Sequence, residues 1–112
     1  MSVALLSATA AQPSFTITAT NVDHFSLSGA TGTTSTNSAV TTSGGTSPFT
    51  YSCAYVGGAT EITPTTPTSN TTTFGYALPF EGFYSSVFRW TVTDDNGLVA
   101  TADVSVLVSY FT

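Results

Sequence analysis

Ser86-Val-Phe-Arg-Trp-Thr-Val-Thr93 runs straight into Asp94-Asp-Asn-Gly97, and a further alternating stretch follows through Ala102, Val104, Val106, Val108 and Tyr110. In the first segment Phe88, Trp90 and Val92 fall on one side and Val87, Arg89, Thr91 and Thr93 on the other. That is the period of two of a half-buried strand. Asn96 and Gly97 tolerate the positive φ that a tight connection demands, so the two segments read as the arms of a hairpin. The rest of the chain supplies more of the same pattern.

Upstream, Pro48-Phe-Thr-Tyr-Ser-Cys-Ala-Tyr-Val56 sets Phe49, Tyr51, Cys53 and Tyr55 against Thr50, Ser52, Ala54 and Val56, and Gly57-Gly58 ends it. Thr71-Thr-Thr-Phe-Gly-Tyr-Ala-Leu78 alternates through Thr72, Phe74, Tyr76 and Leu78 before Pro79-Phe-Glu-Gly82 turns the chain. A first strand is expected at Ser14–Thr20, from the alternation of Phe15, Ile17 and Ala19. Residues 26–47 read as short strands around Phe25/Leu27 and Ala39/Val40, separated by glycine turns. Residues 59–70, with Pro64, Pro67 and five threonines, read as an exposed irregular connection, because proline cannot donate to a β-ladder. No window carries a sustained 3.6-residue period with helix caps. Short alternating segments with turn signals between them predict an all-β fold, a single antiparallel β-sandwich.

Composition agrees and narrows the function. The chain has 112 residues, of which 24 are Thr and 15 Ser, and only 6% are charged. That length suits one domain, burying roughly two-thirds of the surface its unfolded chain exposes, so no disulfide or metal staple is needed. A hydrophobic content of 41% with 12% aromatics is too high for a disordered chain, so the polar surface must be mostly hydroxyl. Arg89 is the one Lys or Arg against six carboxylates, for a net charge of −5. Such a chain cannot neutralise a run of phosphates or dock electrostatically on anionic lipid, which excludes nucleic acid and membrane surfaces as partners. Cys53 is the only cysteine and closes no intrachain bridge.

Met1-Ser-Val-Ala-Leu-Leu-Ser-Ala-Thr-Ala-Ala11 imitates a secretory signal with an Ala8-x-Ala10 cleavage pattern. It lacks a basic n-region, and Ser7 and Thr9 interrupt the apolar run, so residues 1–13 are read as a retained N-terminal arm before a domain at 14–112. Val3, Leu5 and Leu6 are the arm's expected contacts with a neighbouring subunit or partner.

Two stretches, Gly44-Gly-Thr-Ser-Pro-Phe-Thr-Tyr-Ser-Cys53 and Phe88-Arg-Trp-Thr-Val-Thr-Asp-Asp-Asn-Gly97, resemble the immunoglobulin-like, PKD-like domains of tailed-bacteriophage virion proteins and bacterial surface proteins. The resemblance covers about residues 38–108 and implies an immunoglobulin-like sandwich. It also implies a Trp near position 53 and a small residue or Cys near position 90, whereas this chain has Cys53 and Trp90. If the two face each other across the sandwich, the exchange roughly conserves core volume. It also removes any inter-sheet disulfide. Phe88 stands where a tyrosine corner would place a hydroxyl, so that hydrogen bond is expected to be missing.

Little in the chain reads as reaction chemistry. His24 beside Asp23, among many serines, lacks a Gly-x-Ser-x-Gly elbow and a second histidine, and reads as a loop residue. Asp94-Asp95-Asn96 lacks the spaced oxygen ligands of a calcium loop and reads as turn chemistry. No catalytic, cofactor or metal residues are therefore assigned. Phe80, Phe83 and Tyr84 flank the Glu81-Gly82 turn and are the candidate partner-binding side chains of the domain. Together with the resemblance, these features lead to the expectation of a non-enzymatic virion protein. The expected role is a head decoration protein that binds the major capsid protein or other virion proteins and self-associates. A tail or neck accessory protein, and a carbohydrate-binding or adhesion module, are the alternatives.

Overall fold

The computed structural model describes residues 15–27 and 29–112; the expected arm, with Val3, Leu5 and Leu6, lies outside the described residues. The described chain forms β1 (Thr16–Ala19), β2 (Val22–Ser26), β3 (Thr31–Thr33), β4 (Ser38–Ser43), β5 (Thr50–Gly58), β6 (Ile62–Pro64), β7 (Thr71–Thr72), β8 (Phe74–Ala77), β9 (Gly82–Thr93) and β10 (Val99–Tyr110). One layer is a four-stranded sheet in the order β2-β10-β9-β5. The facing layer is split into β1-β4-β7 and β3-β8-β6. The all-β sandwich expected from the alternation is what forms.

The decisive hairpin is the spine of the molecule. β9 and β10 pair antiparallel along their whole length, from Val99 opposite Thr93 to Tyr110 opposite Gly82. Phe88, Trp90 and Val92 on one strand and Val104, Val106 and Val108 on the other are buried, as their alternation requires. Thr72, Phe74, Tyr76 and Leu78 are buried opposite them, and the Phe74 and Phe88 rings meet at 4.9 Å between centroids. The Thr71–Leu78 segment divides, with β7 pairing β4 while β8 lies between β3 and β6.

Cys53 and Trp90 are both buried, but they do not face each other across the sandwich. They are register partners on the adjacent strands β5 and β9, side by side on one sheet. The layer opposite meets Trp90 with something else: its indole Nε1–H donates to Ser38 Oγ at 3.0 Å, and Ser38 Oγ–H donates to the Thr20 carbonyl at 2.6 Å. A buried N–H needs an acceptor, and a serine on β4 supplies it. Burial pushes the Cys53 thiol up to about 11, from an ordinary value of 9.0. Two expectations follow. Iodoacetamide at neutral pH should label Cys53 only when the protein is unfolded, and rapid labelling of the native protein would contradict this placement. The folded thiol keeps its proton where an unfolded one loses it, so its contribution to stability is complete below about pH 9 and is lost as pH rises towards 11. The stability of a Cys53→Ala variant should lack that part of the decline.

Three expectations are corrected. Residues 59–70 are not wholly irregular: β6 pairs β8, and Ile62 is among the most deeply buried side chains. β6 is an edge strand, which is why Pro64 is tolerated there. β5 does not stop before its glycines but runs through Gly58, with a bulge between Tyr55 and Gly57. Gly58, at φ +94°, lies so close to β9 that a Cβ would fall 2.3 Å from the Ser85 carbonyl oxygen. Finally, the sandwich is not purely antiparallel. β2 runs parallel to β10, with Val22 opposite Val106 and Ser26 opposite Tyr110. The chain leaves β1 in one layer and enters β2 in the other, and Asn21 Oδ1 accepts the Ser105 N–H at the crossing. Strands this far apart in sequence are free of the antiparallel constraint that a short hairpin imposes.

Candidate interaction surface

Phe80, Phe83 and Tyr84 do not form one patch. The strand alternation sends Phe83 and Tyr84 to opposite faces of β9. Tyr84 is half-buried, and its hydroxyl donates to the Phe80 carbonyl at 2.8 Å and accepts the Phe80 N–H at 3.3 Å, which clamps the turn before β9. Phe80 itself is 74% exposed at the tip of that turn. Phe83, 72% exposed, stands on the outer face of the four-stranded sheet in different company.

That company is Phe111 and Phe25. Ser109 on β10 is the register partner of Phe83 on β9 and of Phe25 on β2, so the three strands bring the two phenylalanines into one row. Phe111 stands between them, with centroid distances of 5.2 Å to Phe83 and 6.0 Å to Phe25. Phe25 is 56% exposed, and Leu27 beyond it 71%. The Phe111 N–H donates to the Ser26 carbonyl, which fixes the chain as it leaves β10. Neither Phe25 nor Phe111 stood out in the sequence. Phe25 lies in a short segment just before the glycine-rich stretch that starts at Gly29, and Phe111 follows the last alternating residue. Only the non-local β2–β10 pairing joins them.

Carboxylates bracket the row. Asp23 lies two residues before Phe25, exposed beside the register partner Leu107, and Glu81 lies two residues before Phe83 and accepts the Thr112 hydroxyl. The single Arg or Lys of the chain is engaged elsewhere on β9: Arg89 Nε donates to Asp103 Oδ1 at 2.8 Å and Nη2 to Oδ2 at 3.2 Å. The hydrogen bond from Arg89 holds the Asp103 carboxyl below the ordinary carboxylate range. Both groups are about half exposed, so the pair contributes little to stability.

His24 lies on β2 rather than in a loop, a further correction. Its Nδ1 accepts the Ser35 N–H at 3.2 Å, so Nε2 carries the hydrogen and donates to Tyr76 Oη at 3.1 Å. Ser35 Oγ also lies 3.3 Å from Nδ1, and the ring works as a link between β2 and β8. Asp94 behaves as turn chemistry. Its Oδ1 accepts the N–H groups of Asn96 and Leu98, and its Oδ2 accepts that of Thr46, from the loop between β4 and β5.

No family model matches the chain, and no curated protein matches it. Two solved structures do. The PKD domain of human KIAA0319 superposes with a TM-score of 0.58 at 11% identity, over 91% of this chain and 88% of that one. The PKD domain of the KIAA 1837 protein superposes with a TM-score of 0.51 at 21% identity, over 82% of this chain and 84% of that one. At these identities the likeness establishes the fold alone, an immunoglobulin-like all-β sandwich similar to that of those PKD domains.

Proposed function

We propose that this chain is a non-enzymatic structural module of a bacteriophage particle, an accessory protein that decorates the head by binding the capsid surface. The observation that carries the attachment half of this reading is the Phe25–Phe111–Phe83 row, exposed on the outer face of a rigid four-stranded sheet. Exposed aromatic rows on an otherwise hydroxyl-rich surface mark interaction sites, and rings on strands lose little freedom on binding. The particle half rests on the resemblance of Gly44–Cys53 and Phe88–Gly97 to domains of tailed-phage virion proteins. A glycan-binding module is disfavoured because the rings are tilted by 31° and 66° to their neighbours and share no flat platform.

Imaging of the native particle is the test. Copies should follow the head lattice, and a Phe25→Ser/Phe83→Ser variant should lose most of its occupancy while remaining folded. Copies at the tail or neck would move the protein to those structures. Glycan binding that disappears in the double variant, with no particle association, would replace the reading with adhesion.

A further inference from the structure

We infer that the Phe25–Phe111–Phe83 face is built to take a protein segment that sets an apolar side chain between two arginines or lysines. The inference rests on reading this chain as an attachment module, and it adds the chemistry of what the module grips. Three observations on the same face lead to it. The rings of Phe25, Phe111 and Phe83 make a continuous apolar strip across β2, β10 and β9. Asp23 and Glu81 stand at its two ends, both exposed. The chain's one Arg is tied to Asp103, so no basic side chain of its own serves these two carboxylates.

The spacing of the two carboxylates defines the complement. Asp23 aligns with Ser85 through their shared partner Leu107, and Glu81 lies four residues before Ser85. Two strand spacings across the sheet and four residue rises along it separate the two residues by roughly 16 Å, a span that an extended segment's long arginine side chains cover. Residues i and i+4 of an extended segment lie on one face about 13 Å apart, with residue i+2 between them. An extended Arg-x-Φ-x-Arg segment, Φ being an apolar residue, therefore matches the face: Φ meets the phenylalanine strip and each Arg reaches one carboxylate. The arginine stems can also lie on the ring faces, where the ring quadrupole attracts the cation. A second copy of this chain offers the opposite. It brings the same carboxylates at net charge −5, which repel those already present.

The test uses amide chemical-shift titration of the isotope-labelled protein with two probes, acetyl-Arg-Thr-Phe-Thr-Arg-amide and acetyl-Glu-Thr-Phe-Thr-Glu-amide. The arginine peptide should shift amides within residues 22–26, 82–85 and 107–111, and the glutamate peptide at the same concentration should not. An Asp23→Asn/Glu81→Gln variant should bind the arginine peptide at least threefold more weakly. A Phe25→Ser/Phe83→Ser variant should lose binding, with its amide spectrum away from the face unchanged. Equal response to both peptides, shifts that map elsewhere, or a concentration-dependent dimer that perturbs these same amides would overturn the inference. Particle occupancy is read separately. Peptide binding without lattice occupancy removes the virion reading only, whereas lattice occupancy without selectivity for the arginine peptide removes the basic-partner inference only.

Discussion

Trp90→Ala should lower the unfolding free energy by about 3–5 kcal/mol, the range for truncating a fully enclosed aromatic side chain. Trp90 has no solvent exposure and sits three residues before the end of β9, flanked in register by Cys53 on β5 and Ala102 on β10. Small residues on both sides leave the indole as the main filler of this region, and β-strands cannot close in on the void without breaking ladder hydrogen bonds. The substitution also deprives Ser38 Oγ of its donor at 3.0 Å. Trp90→Phe is the milder change: it keeps one aromatic ring but loses the N–H and part of the bicyclic ring, so it should cost less than Trp90→Ala, about 1–3 kcal/mol. Urea titrations of the three proteins measure both. A Trp90→Ala loss below about 1 kcal/mol would show that the indole is not enclosed.

Asp94→Ala should be the most damaging substitution outside the apolar core, at about 3 kcal/mol, because hydrogen bonds to a charged group contribute about 1.5–3 kcal/mol each and several are lost at once. The buried carboxylate accepts N–H groups from Thr46, Asn96 and Leu98 at 3.1, 3.0 and 2.9 Å. Further bonds share the same place: the Asp95 N–H donates to the Thr46 carbonyl and Asn96 Nδ2 to Thr46 Oγ1. One side chain thus shapes the β9–β10 turn and fastens it to the loop between β4 and β5. Asp94→Asn retains an acceptor oxygen and should lose roughly half as much. Denaturant midpoints supply the comparison, and amide exchange at Asn96 and Leu98 should accelerate in the alanine variant before global unfolding does.

Legibility followed locality. Wherever strand and neighbour are joined by a short turn, alternation and turn chemistry gave the element, its faces and its partner, as at Phe88/Trp90/Val92 against Val104/Val106/Val108. Phe74, Tyr76 and Leu78 were readable from their alternation alone, whereas the partners of β8, the strands β3 and β6, were not. Contacts between distant segments were not. Nothing in Val22–Ser26 announces that it will lie parallel to residues 106–110, and this pairing decides which aromatics share a surface. Of the three aromatics singled out around Glu81-Gly82, only Phe83 joins the exposed row, because neighbouring residues on a strand point to opposite faces. The Trp90–Ser38–Thr20 relay escaped notice because a serine in so hydroxyl-rich a chain carries no signal of burial.

The interior position of β10 also governs how the molecule comes into being. Within the described residues it is the last strand along the chain, yet it lies inside its sheet, bonded to β9 on one side and to β2 on the other. Until residues 99–110 have left the ribosome, β2 has no partner in that layer and β9 lacks one side of its ladder. The nascent chain therefore holds Phe88, Trp90 and Val92 beside an open strand edge until β10 emerges, and the sheet closes by long-range pairing rather than piece by piece. The dearth of charge that suits the finished surface leaves this interval without the lysines that other sheets use to keep bare edges apart.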